Sequence, residues 1–383
     1  MLGDLTPAND IHIRYSDDED TSYKIRRSAT KLLSAIIATR PELLVSLFKE
    51  VSPVLISRFG DREETVRLEV WSTYGVLLAQ TGVYGGLAQT KDGVGVVGNG
   101  KRKRDNDEGM DVEETPMALL RSQVPALAKV LLNQLKSTNK TPPGTLQAGF
   151  KLLHSILVVL PGSLGGQVTN IISTSKAILS QAPTTSTSTL HHTCLNFLSL
   201  FFSTHAPPSF AGSLPSINPV LLKALGEKHP RVASEAFRVF SALLNALKPV
   251  KSTGRDWADS VYDEAVSRLS KNDTDAEVRA CAEDAIADLW ICATSVALSK
   301  DRKEWEAICR TAGMTNGAVK VVAKVAREVK ISDDWANGCV EWLMVLMRKS
   351  GRTGKTDVFN ATETLLRRFD KSALCSLTIM LIL

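Results

Sequence analysis

Several things are scarce in this sequence. Aromatic residues make up only 6% of its 383 residues, against 44% apolar residues in all. Burial must therefore come from Leu, Ala and Val, which suits helix packed on helix better than a β-sandwich or a large pocket-bearing enzyme. Cysteine is sparse and scattered (Cys194, Cys281, Cys292, Cys309, Cys339, Cys375), with no CxxC pair. That spacing speaks against a thiolate metal site or a disulfide framework and leaves small core residues. Excess charge is also small, at +5, unlike the strong basic stripe of a nucleic-acid binder. No apolar run approaches the roughly 18 uninterrupted residues that span a bilayer. The opening MLGDLTPAND lacks the basic and apolar regions of a secretory signal. Together these absences predict a soluble protein of the nucleus and cytoplasm, with neither nucleic acid nor membrane among its partners.

What is present is periodicity. Asp61 to Gln80, DREETVRLEVWSTYGVLLAQ, opens with an acidic cluster, continues with Val66-Arg67, and then carries an apolar helical stripe through Val70, Trp71, Tyr74 and Leu77. The preceding segment, Glu42 to Phe59, reads as a helix containing Pro53. A first helix with a proline, an acidic turn, and Val-Arg opening a second helix is the pattern of a HEAT repeat. Such a unit cannot bury its own face and must stack on copies of itself. Copies occur. Asp17 to Thr39 holds Ile25-Arg26, then Ala29, Leu32 and Ile36 as its apolar stripe. Asp273 to Trp290 holds Val278-Arg279, and Glu227 to Leu247 is a weaker version with Pro219 in the helix before. Leu146 to Leu160 and Leu190 to Phe202 keep the stripe without the acidic turn. The equivalent positions Ile25, Val66, Leu146, Leu190, Val232 and Val278 are 41, 80, 44, 42 and 46 residues apart. All but the second separation match the roughly 40–47 residues of HEAT or armadillo units. The fold class expected is all-α, a HEAT-repeat (armadillo-like) α-solenoid of about seven to eight helix pairs.

The doubled separation marks an insertion, residues 82–115, rich in Gly and charge and without an apolar face, which reads as disordered. The expected organisation is an irregular stretch 1–16, repeats over 17–81, the insertion 82–115, repeats over 116–300, and less regular helical repeats over 301–383. Ser372 to Leu383 is apolar without a polar cap, so the array reads as cut there, since a solenoid ends on a polar face.

Motifs that hint at chemistry fail their context tests. Gly93, Gly95 and Gly98 match GxGxxG but have neither a strand before nor a helix after. Gly351 to Thr356 resembles half a P-loop, yet Lys349 stands where its first glycine belongs, so an inter-helix turn is expected. His191 and His192 are adjacent, point apart on a helix, and have no second ligand pair nearby. No nucleophile, base and acid converge, so no enzyme, cofactor or metal is expected. Lys101, Arg102, Lys103 and Arg104 form a compact basic run. It reads either as a nuclear import signal or as linker charge balanced by Asp105, Asp107 and Glu108.

DDEDTSYKIRRSATKLLSAIIATRPELL followed by VSPVLISRFGDREETVRLEVWSTY resembles the middle of the cullin-associated, neddylation-dissociated family, also called TATA-binding-protein-interacting proteins. TPMALLRSQVPALAKVL and LLHSILVVLPGSL resemble the segments that follow there, and the order persists across residues 17–300. The resemblance implies an internal portion of a longer HEAT solenoid, which some fungi carry as two polypeptides. It also implies a function: binding unneddylated cullin and its RING subunit, and exchanging substrate receptors on SCF-type cullin–RING ubiquitin ligases. A separate N-terminal piece of the same factor is a further implied partner. In such arrays the second helix of each pair lines the concave face, so Lys24, Arg27, Arg67, Glu69, Glu235 and Arg238 are the expected exposed contact positions. Two other readings stand beside it. One is another helical-repeat adaptor such as a nuclear transport receptor, which would present acidic concave stretches. The other is a nucleic-acid-binding solenoid using Lys101 to Arg104, which would show steep salt dependence.

Overall fold

The computed structural model describes residues 22–86, 115–185, 187–250, 255–271, 274–293, 315–329 and 333–367. Every regular element among them is helical. The chain divides into two compact units, residues 1–120 and 121–383.

In the first unit, α1 (Ser22–Thr39) is followed by one winding run: a 3₁₀ turn Pro41–Leu43, α2 (Leu44–Ser46), a π turn Leu47–Val51 and α3 (Ser52–Ser57). After the acidic turn comes α4 (Glu64–Tyr84). The sequence reads one plain helix over Glu42 to Phe59; the structure replaces it with this mixed run, and Pro53 supplies the reason. Proline lacks the N–H that would bond the carbonyl four residues back, and its ring crowds that carbonyl. The π turn just before it widens the coil at that point. The same economy applies to the prolines inside two later first helices. Pro53, Pro125 and Pro219 all lie on exposed faces, where water can serve the released carbonyls.

α4 carries the core of this unit. Val66, Val70, Trp71, Tyr74, Leu77 and Leu78 are buried. The Phe59 ring meets Tyr74 edge-on at 5.5 Å, an arrangement that pairs ring edge with ring face. The indole N–H of Trp71 donates to the Phe59 carbonyl at 3.3 Å. α4 packs on α1 and on the α2 and α3 run.

The second unit repeats the scheme. α5 (Pro116–Leu135), which begins at the end of the first unit, is followed by α6 (Pro143–Val159), α7 (Val168–Leu179) and α8 (Ser188–Thr204). The short α9 (Pro207–Phe210) leads into α10 (Leu214–Leu225), and α11 (Pro230–Ala246), α12 (Arg255–Ser270) and α13 (Ala276–Cys292) complete the regular part. Beyond it lie α14 (Thr315–Glu328), α15 (Asp333–Lys349) and α16 (Arg352–Leu366). Two layers result. The second helices α6, α8, α11, α13, α14 and α16 each pack on the next, while the first helices α7, α10 and α12 do the same beside them. α8 shows why: Leu190, Cys194, Leu195, Phe197, Leu198, Phe201 and Phe202 are all buried, too many for one face, so it needs a neighbour on either side. Phe201 is the hub, within 5.5 Å of Phe202 and stacked on His205 at 4.2 Å.

The structure corrects several expectations. Val66, Leu146, Leu190, Val232 and Val278 are buried, but the first of the equivalent positions, Ile25, is 71% exposed. Leu32 and Ile36 are exposed too, and Ile37 is the buried residue of α1. α1 meets α4 through a different side from its apolar stripe. α4 continues to Tyr84, past residue 82, where the insertion was placed. The P-loop-like stretch is not a turn, because α16 starts at Arg352 and takes Gly354 into its first winding. Most of the insertion, including Lys101 to Arg104, lies outside the described residues, as does the apolar end Ser372 to Leu383.

Candidate partner-binding surface

The repeat motif itself builds the connection between the two helices of a pair. At α13 the Asp275 carboxylate caps the helix, accepting from the Glu277 N–H at 2.9 Å, one of the orphan donors of a helix start. The Arg279 guanidinium reaches back to the carbonyls of Leu269 at 3.2 Å and Lys271 at 2.8 Å, tying the turn to the end of α12. In the first unit Asp61 accepts from the Glu63 N–H at 3.0 Å, and Arg67 donates to the Asp61 carbonyl at 2.9 Å. The acidic turn followed by Val-Arg is thus a brace: the valine is buried and the arginine closes the loop. The motif is weak at α11, and Arg268 from α12 makes the equivalent bonds instead, to the carbonyls of Leu225 and Glu227.

A second set of polar contacts runs across neighbouring second helices, with partners about one repeat apart in sequence. In the first unit Arg27 pairs with Glu69 at 3.4 Å, and Lys31 approaches the same carboxylate at 4.0 Å. In the second unit Asn196 of α8 donates to Glu235 of α11 at 3.2 Å. Arg238 bridges Glu235 at 2.7 Å and Glu277 of α13 at 2.8 Å. Burial by itself would depress the Arg238 pKa, but its bonds to Glu235 and Glu277 prevail and push it up, so it stays charged.

The six positions expected to be exposed therefore divide. Lys24 is exposed, its ammonium 5.8 Å from the Tyr23 ring centre. Arg27 and Arg238 are partly exposed and pair between helices. Glu69 is largely covered by its two cations. Arg67 is half-buried in the turn. Glu235 corrects the expectation, because only 1% of it is exposed. A carboxylate is tolerated there because Asn196 and Arg238 satisfy it.

Sequence reasoning missed two further features. Glu283 on α13 is buried against Gly317 of α14, where a Cβ would overlap its carboxylate. Burial raises its pKa to about 7; Asp284 adds to the rise, while Arg279 and Lys320 oppose it. The glycine three residues into α14 was the available signal. The other feature is a groove of about 840 Å³ between α10 and α12, lined by Pro215, Pro219, Leu222, Pro249 and Trp257. It resides on the first-helix layer, away from the six contact positions expected from the sequence. Among the described residues no group of three or more His, Cys, Asp or Glu could hold a metal, and none of their helices is long and apolar enough to cross a membrane. His191 is buried while His192 is half-exposed, and burial lowers the His191 pKa.

Stacked two-helix units with polar ties between neighbours define a HEAT-type α-solenoid. Solved structures agree on the fold. A crystal structure of importin beta superposes with a TM-score of 0.61 at 14% identity, covering 96% of this chain and 42% of that one. Kap121p bound to Ste12p gives a TM-score of 0.52 at 12% identity, covering 91% and 35%. The family model described as "CAND1-like, TPR repeats" matches residues 160–286. Cullin-associated NEDD8-dissociated protein 1 of Arabidopsis thaliana is 33% identical over 268 residues, 69% of this chain and 20% of that protein. Its Dictyostelium discoideum counterpart is 31% identical over 277 residues, 72% and 20%. A protein of Emericella nidulans named as the C-terminal part of the same factor is 30% identical, covering 69% and 30%. The chain belongs to the family of cullin-associated NEDD8-dissociated proteins, and it matches about a fifth of the length of the first two of these relatives.

Proposed function

We propose that the chain is a protein-binding scaffold that holds unneddylated cullin with its RING subunit and takes part in exchanging substrate receptors on SCF-type cullin–RING ubiquitin ligases. The single observation behind this reading is the match of more than two thirds of the chain to proteins named as cullin-associated and NEDD8-dissociated. The fold is compatible with it, because a row of stacked second helices offers many modest contacts and needs no chemistry of its own. Discrimination against NEDD8-modified cullin would come from differential affinity for two states of one partner. The reading places the protein in nucleus and cytoplasm, with Lys101 to Arg104 as the import signal, and pairs it with a separate N-terminal piece of the same factor.

The test is capture of purified cullin–RING complex by the full chain, with and without NEDD8 attached. Unmodified cullin should be retained at least tenfold better. Equal retention would refute the proposal. Binding that depends instead on the nucleotide state of a small GTPase would favour a transport receptor, the class to which the importin beta fold points.

A further inference from the structure

The groove between α10 and α12 is built from more than apolar walls. Its volume of about 840 Å³ falls within the roughly 300–1,000 Å³ usual for binding sites. On α10, Pro215, Pro219 and Leu222 stand at helical spacing, so the helix sets them in one row with Asn218 beside them. Opposite lies the start of α12, with Asp256 and Trp257. The prolines present flat apolar rings and no N–H. Three polar groups of this lining have no partner among the described residues. Asn218 is only 8% exposed, its Oδ1 is sealed and accepts nothing, and its amide nitrogen makes no hydrogen bond; folded chains normally satisfy such buried amides. Trp257 stacks on Phe240 at 5.7 Å, and its indole N–H meets no acceptor. Asp256 is exposed and its carboxylate pairs with no cation.

These groups narrow the occupant. The other polar side chains of the lining are engaged: Lys248 pairs with Glu328 at 3.8 Å, and the Ser260 hydroxyl donates to the Asp256 carbonyl at 3.0 Å. What the groove has left to offer is two N–H donors and one anion between apolar rings. The donors call for carbonyl oxygens. A docked helix has already spent its carbonyls on its own N–H groups. A polyproline II segment has no internal hydrogen bonds and keeps every carbonyl free, and its rings pack into grooves lined by aromatic side chains. Asp256 adds a place for a Lys or Arg beside those rings.

We infer that this groove binds a proline-rich segment of another protein, extended as polyproline II and carrying one basic residue. Its carbonyls accept from Asn218 Nδ2 and Trp257 Nε1, its proline rings lie among Pro215, Pro219 and Leu222, and its cation sits beside Asp256. The site is on the first-helix layer, so an occupant there leaves the second helices open. It does not depend on the cullin reading.

The experiment titrates the full chain with acetyl-Arg-Pro-Leu-Pro-Pro-Leu-Pro-amide by calorimetry and follows the indole N–H signals of its six tryptophans by NMR, that of Trp257 being assigned through Trp257→Phe. Wild type should bind with a Kd of about 100 µM or tighter, and the Trp257 signal should move. Asp256→Lys changes an exposed position, so its melting temperature should stay near wild type while binding weakens about tenfold. Replacing the peptide's Arg by Glu should restore affinity for that variant. Asn218→Leu should raise the melting temperature, because it removes an unpartnered buried amide, and still weaken binding about fivefold. No saturable heat with wild type at about 2 mM peptide, or binding that leaves the Trp257 signal in place, would overturn the inference. So would Asp256→Lys or Asn218→Leu binding as well as wild type. Equal affinity for a peptide with alanine at every proline would put a helix in the groove and overturn the choice of occupant.

Discussion

Arg238 and Glu235 are joined at 2.7 Å, but they are not equivalent partners. Glu235 is buried and Arg238 is 43% exposed at its side chain. Removing the arginine strands a buried carboxylate with only Asn196 to serve it, whereas removing the carboxylate leaves an arginine that keeps Glu277 and water. R238A should therefore cost about 2–3 kcal/mol and E235A about 1 kcal/mol, because an uncompensated buried charge costs more than a lost bond. Urea denaturation of the two variants checks the order; the reverse order would mean that Glu235 gains water once Arg238 is gone. Glu283 makes a pH-dependent counterpart. Its folded pKa is raised to about 7 by burial, so the folded state holds a proton that the unfolded chain releases near the ordinary carboxylate value. Stability contributed by that proton is present at low pH and lost as pH rises through about 7. Glu283→Gln, which stays neutral, should raise the melting temperature at pH 8 and change it little at pH 5. Thermal scans at the two pH values decide it, and an equal shift at both would refute the assignment.

At the level of helices, the same repeat position has opposite environments. Val278 opens α13 and is 2% exposed; Ile25 opens α1 and is 71% exposed. Val278→Ala should cost about 2 kcal/mol through lost burial and the cavity left behind. Ile25→Ala should change stability by less than about 0.5 kcal/mol. Chemical denaturation of both variants measures this, and a large loss for Ile25→Ala would mean that its face is covered in solution. The first-helix prolines show the same rule in reverse. Pro53, Pro125 and Pro219 persist because each faces outward, where a lost helical bond can be replaced by water.

On the proposed reading, the chain works through surface area and not through any single residue. The described second helices of the second unit form a continuous layer, and its polar ties between neighbours span one repeat each, as in Asn196–Glu235 and Arg238–Glu277. Such an array is built from nearest-neighbour interfaces. That is why the discriminating experiment for the proposed function is capture of cullin in its two modification states.

The repeating unit, its spacing of 41 to 46 residues and the helical class were legible in the sequence because stacking amphipathic hairpins requires a periodic apolar stripe, and periodicity survives in one dimension. The brace of Asp275 and Arg279 was legible as a motif for the same reason. Which stripe is covered was not. Ile25 and Val278 look alike in sequence, and only what packs against each among the described residues separates the exposed one from the buried one. Nor did sequence reveal that Glu235 is buried, since a glutamate on a helix face reads as solvated until Asn196 and Arg238, from a neighbouring helix and the next turn, are brought to its oxygens. Local pattern sets which residues can form helices and faces; burial and charge pairing depend on distance in space, and only the stacking of one repeat on the next decides them.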